Sequence, residues 1–135
     1  MKKIADFISR FGFHTTPFTC EIAVSQHFVN EPYSEALQHL YRAVDKRMSA
    51  ALIAPAGTGK TTLLRAALGQ LNGNTRTAFI FNANLPFLQV LALILHEFDL
   101  LGSLKKLTKV TAIRRLNTFG IRQLSRGGNV VIMVD

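Results

Sequence analysis

Apolar residues recur along this chain in two rhythms, and each predicts a kind of element. From Tyr33 to Met48, the residues Ala36, Leu37, Leu40, Tyr41 and Val44 fall on one face at helical spacing. Pro32 stands just before them, where a first helical turn tolerates a missing N–H. Lys60 to Leu71 repeats the pattern with Leu63, Leu64, Ala67, Leu68 and Leu71, and Pro86 to Phe98 predicts another long helix. Over residues 103–126, Leu107, Val110, Ile113, Ile121 and Leu124 share one arc, weakened in the middle by Gly120. A short helix is expected over residues 1–11, on Ile4, Phe7, Ile8 and Phe11. The stretch from Gly12 to Pro32 is irregular. With Phe13, Pro17, Phe18 and Phe28 it is too apolar for a free linker and is expected to pack on the domain.

The second rhythm is the short continuous apolar run. Ser49 to Pro55, Thr77 to Asn82 and Val130 to Val134 read as buried strands. Asn72-Gly73-Asn74 and Gly127-Gly128-Asn129 supply turns, and Gly102 a helix terminator. Strands alternating with helices predict an α/β fold around a parallel sheet.

Composition narrows the function classes. The chain has 135 residues, 48% of them hydrophobic and 18% charged, which suits a packed core of one small domain or part of a larger one. Sixteen Lys and Arg against eight Asp and Glu give +8. That excludes a strongly acidic binding domain and admits phosphates, nucleic acid or anionic lipid as partners. Cys20 is the single cysteine, so no internal disulfide and no CxxC motif exist, which favours a reducing compartment. Lys2 and Lys3 imitate the start of a signal peptide, but Asp6, Ser9 and Arg10 break the run that should follow. Residues 85–95 form the most apolar run, about half the ~20 residues that a membrane span needs. A cytoplasmic protein without a transmembrane segment is expected. The four histidines show no ligand spacing.

The segment richest in chemistry is Ala54-Pro55-Ala56-Gly57-Thr58-Gly59-Lys60-Thr61. It fits the phosphate-binding loop GxxxxGK[ST], with Ala54 in place of the first Gly. Gly57 and Gly59 let the chain turn its N–H groups toward a phosphate, and the following helix offers its positive end. Ala56, Gly57, Thr58, Gly59, Lys60, Thr61 and Thr62 are the expected nucleotide contacts. Lys60 supplies a point charge for the β and γ phosphates, and Thr61 a hydroxyl for Mg²⁺. The run Val130-Val131-Ile132-Met133-Val134-Asp135 has the form of the second half of such a site. Asp135 is expected at the carboxyl end of its strand, holding the Mg²⁺ shell with Thr61. Lys60 and Asp135 are therefore the candidate catalytic residues.

These features together resemble the AAA+ ATPases, and more narrowly the general-secretion-pathway A type and its relatives, the transposition helper ATPases. Phe11-Gly12-Phe13 with Pro17-Phe18 is similar to that group's N-terminal signature, and Tyr33-Ser34-Glu35-Ala36-Leu37 to its helix before the first strand. Gly57 to Arg65 is similar to its loop and helix start. The resemblance implies a P-loop NTPase sheet sandwiched by helices. Residues 1–48 would be an N-terminal segment packing on it, and residues 49–135 the first part of the ATPase core. It also implies ATP as the nucleotide, hydrolysis coupled to assembly or remodelling, and a homo-oligomeric ring. Phe13, Pro17 and Phe18 become candidates for the adenine wall. In the family a catalytic Glu follows the Asp, and a fourth strand lies between the first and third. The chain is therefore expected to be incomplete at its C-terminus and marginally stable alone.

Seven basic residues lie between Leu100 and Gly128, with no acidic one: Lys105, Lys106, Lys109, Arg114, Arg115, Arg122 and Arg126. A nucleic-acid contact, a solvated helix face and a surface against a neighbouring subunit all remain open. The functional alternatives to a secretion ATPase are an ATP-gated DNA-binding or transposition accessory protein, and an inactive remnant.

Overall fold

A computed structural model describes residues 8–13, 27–71, 73–82, 84–104 and 107–135. Of the residues singled out above, Lys2, Lys3, Ile4, Asp6, Phe7, Pro17, Phe18, Cys20, Asn72, Lys105 and Lys106 lie outside the described residues. The chain divides into two compact units, residues 1–30 and 31–135. In the first, residues 8–10 are helical. The turn after them closes through the Phe13 N–H, which donates to the Ile8 carbonyl at 3.0 Å.

The second unit opens with helix α1, Glu31–Asp45. It starts two residues before the predicted Tyr33, because Glu31 suits the positive end of the helix dipole and Pro32 fits the first turn. Ala36, Leu37, Leu40, Tyr41 and Val44 are all half-buried, as their spacing predicts. Helix α2, Lys60–Gly69, buries Leu63, Ala66 and Ala67. Strand β1 is Thr75–Ile80 and helix α3 is Phe87–Glu97. Helix α4, Lys109–Ser125, begins later than the periodicity suggests. Its start is set by a capping box: the Thr108 hydroxyl accepts from the Thr111 N–H (3.2 Å), and the Thr111 hydroxyl accepts from the Thr108 N–H (2.9 Å). Strand β2, Asn129–Val134, closes the series.

Among the described residues the sheet has two strands. β1 and β2 run parallel, in register from Thr75 opposite Asn129 to Ile80 opposite Val134. A parallel pair needs a long crossover, and α3 with α4 provides it. The core lies where these helices meet the sheet. Ala78, Ile80, Ile94 and Phe98 form one buried cluster, against which Leu116, Phe119 and Val130 pack. Leu91, Leu95 and Ala112 form a second between α3 and α4.

Two expectations need correction. Residues 49–55 form no strand, and Ile53 is 92% exposed. A strand needs a neighbour to complete its hydrogen-bond ladder, and this stretch has none. It faces β2 across a groove of about 760 Å³ lined by residues 49–52 on one wall and 129–135 on the other. In α4, the arc of Val110, Ile113, Ile121 and Leu124 is turned outward, and the helix buries Ala112 instead. Ala112, Leu116 and Phe119 lie on the opposite side and fill the space beside α3, because a small side chain at 112 lets the two helices approach closely.

Candidate phosphate-binding site

Residues 54–59 form a loop that its own polar atoms hold in shape. The Thr58 hydroxyl donates to the Pro55 carbonyl at 2.9 Å. The Lys60 ammonium donates to the carbonyls of Ala54 (3.0 Å) and Pro55 (2.8 Å), so its side chain folds back across the loop. Gly57 and Gly59 adopt φ of 78° and 86°, in the left-handed region that a side chain resists. Those two residues turn the backbone directly into α2, whose first hydrogen bond runs from the Leu63 N–H to the Gly59 carbonyl (2.9 Å). No side chain caps this helix N-terminus. The N–H groups of its first turn lack intrahelical partners by geometry, and the dipole adds partial positive charge there. Ala56, Gly57, Thr58 and Gly59 are exposed, Lys60 and Thr61 half-buried, and Thr62 exposed.

The second half of the site arrives on β2. The Asp135 N–H donates to the Ile80 carbonyl at 2.9 Å, which extends the ladder by one residue and fixes the Asp backbone. Its carboxylate accepts a hydrogen bond of 2.5 Å from the Thr61 hydroxyl, 74 residues earlier in the chain. Lys60 and Asp135 both line the groove, and Thr61 is joined to Asp135 by that bond.

Phe13 belongs to the first unit, and Pro17 and Phe18 lie outside the described residues. Several contacts around the site had no sequence signal. Asn129 Nδ2 donates to the Val44 carbonyl at 2.9 Å, tying the start of β2 to the end of α1. Arg65 lies with its guanidinium 5.5 Å from the Phe81 ring centre, a cation–π contact. Arg115 is drawn out of the basic stretch altogether, donating to the carbonyls of Leu100 (3.2 Å) and Leu101.

Over 91 residues the chain is 37% identical to general secretion pathway protein A of Aeromonas hydrophila. The two sequences are related. The match takes in 67% of this chain but 17% of that protein, so the chain spans a small part of its relative's length. No family model matches the chain, and no solved structure does. No helix among the described residues is long and apolar enough to cross a membrane.

Proposed function

We propose that the chain binds ATP with Mg²⁺ at residues 54–62 and Asp135, on the P-loop NTPase plan of an AAA+ ATPase of the secretion-pathway A type. One observation carries this reading: the Thr61 hydroxyl and the Asp135 carboxylate, 74 residues apart, meet beside an uncapped helix N-terminus. Backbone N–H groups at Gly57, Gly59 and the first turn of α2 receive phosphate oxygens. Lys60 exchanges its two loop carbonyls for the terminal phosphates, trading neutral acceptors for charged ones. Thr61 and Asp135 offer a hydroxyl and a carboxylate, hard oxygen donors in the small number that Mg²⁺ takes from protein when phosphates and water complete its shell. Bound there, the ion supplies charge neutralisation at the phosphates.

The kinship with a secretion-pathway protein supports coupling ATP turnover to the assembly or remodelling of a secretion apparatus, and the cytoplasm is the compartment we propose for it. Lys60→Ala separates site from scaffold. Titration calorimetry with ATP and Mg²⁺ is expected to show affinity falling by more than about tenfold, roughly 1.4 kcal/mol or more. The melting temperature without nucleotide should stay nearly unchanged, since the lysine's partners are loop carbonyls. Undiminished affinity in that variant overturns the assignment.

A further inference from the structure

Helix α4 presents to solvent the face that a helix ordinarily buries. Val110 is 65% exposed, Ile113 43%, Ile121 67% and Leu124 50%. At 100° per residue these four fall within one arc, with Asn117 at its centre and Gly120 beside it. Positions 110, 113, 117, 120 and 124 follow the alternating three- and four-residue steps of a helix–helix seam. Single exposed aliphatic residues are ordinary; here two exposed aliphatic pairs, Val110 with Ile113 and Ile121 with Leu124, lie on one side of a 17-residue helix with Asn117 between them.

Gly120 adds an independent observation. A glycine inside a helix costs about 1 kcal/mol relative to alanine. A Cβ built at Gly120 meets nothing within 4 Å, so the packing of this chain does not require it. A bare backbone beside Ile121 and Leu124 leaves space for another helix to approach.

Charge decides what kind of helix. Lys109 flanks the row on one side and Arg114 on the other, with Arg122 much further round the helix; all three are exposed. None forms an ion pair among the described residues, and α4 carries no acidic residue. We infer that the outer face of α4 is a docking surface for an amphipathic helix of a partner protein, with aliphatic residues on its seam and Asp or Glu along both edges. A second copy of α4 would set cations against cations in a chain of +8. A nucleic-acid backbone would satisfy the cations but leave the four aliphatic side chains uncovered. The inference is independent of the nucleotide site, which none of these residues touches.

The test uses the full chain and a labelled synthetic helical peptide with Leu on its seam and Glu on both edges. A twin peptide carries Lys in place of Glu. Fluorescence anisotropy is expected to show binding of the Glu peptide only. The double variant Ile121→Ser, Leu124→Ser is expected to weaken that binding about tenfold or more. Gly120→Ala is the decisive variant: it should raise the melting temperature of the free chain and still weaken the peptide. Equal binding of the Lys peptide, no binding of either, or undiminished binding by either variant overturns the proposal. So does binding of a labelled DNA duplex that the double variant abolishes, or sedimentation showing a dimer that it dissolves.

Discussion

Around α3 and α4, Ala78, Leu95 and Ala112 have no surface left, and Ile80 and Phe98 are nearly covered. Across the sheet's other edge, residues 49–55 pair with no strand, and Ile132 and Val134 of β2 remain about half exposed. There α1 and the loop are joined to β2 through polar links, Asn129 to Val44 and Thr61 to Asp135. One flank is held by burial, which sums over many weak contacts and tolerates the loss of any one hydrogen bond. The other depends on a few directional bonds, each worth about 1 kcal/mol net. The proposed site lies on the second flank, where residues 55–59 and Thr62 are exposed.

The difference can be broken at its strongest point. Leu95→Ala empties the most deeply buried large side chain, at 0% exposure, and is expected to cost about 2–5 kcal/mol in chemical denaturation. A loss below about 1 kcal/mol would mean that the α3–α4 cluster does not hold this flank. Asn129→Ala tests the polar flank. Removing the donor to Val44 is expected to cost about 1–2 kcal/mol and to speed amide exchange in the last turn of α1. Unchanged exchange there would show that α1 is held by something else.

Tyr41→Phe should act in the opposite direction. The Tyr41 hydroxyl is buried and has no hydrogen-bond partner among the described residues, so its removal should stabilise by about 1 kcal/mol. Burial raises the Tyr41 phenol above its ordinary pKa, and the neighbouring Tyr33 phenol adds to the rise. The folded state therefore holds this proton longer than the unfolded one. Its contribution is complete below about pH 10 and is lost as pH climbs through the folded pKa. The Phe variant should show a shallower fall in stability above that pH, and an identical fall in both proteins would remove Tyr41 as its source.

The buried flank was partly legible in the sequence, and for a physical reason. α3 is apolar from Phe87 to Leu95 apart from Gln89, and β1 and β2 stand between clear Gly and Asn turns. Their bounds moved by one or two residues because ladder pairing, not composition, sets where a strand begins. α4 misled because periodicity locates an apolar arc but not its direction. The smaller set of Ala112, Leu116 and Phe119 fits against α3 better than the larger one. Residues 49–55 misled because an apolar run can only become a strand beside a partner. The loop of the candidate site was legible because its residues are contiguous. Its meeting with Asp135 rested on strand position, while the roles of Asn129 and Arg115 depend on carbonyls that only the folded chain brings near.

The Thr61–Asp135 bond closes a loop of 74 residues, and the Asn129–Val44 bond one of 85. Loop-closure entropy grows slowly with length, but contacts between distant residues form only after the chain between them is ordered. α3 and α4, neighbours in sequence, can pack early. β1 then waits for β2, and Asp135, one residue past that strand, reaches Thr61 after the pairing. A folding intermediate with its apolar clusters already buried would therefore have no site at all. In kinetic experiments, competence to bind a ligand should emerge as the slowest phase, behind the recovery of helical signal.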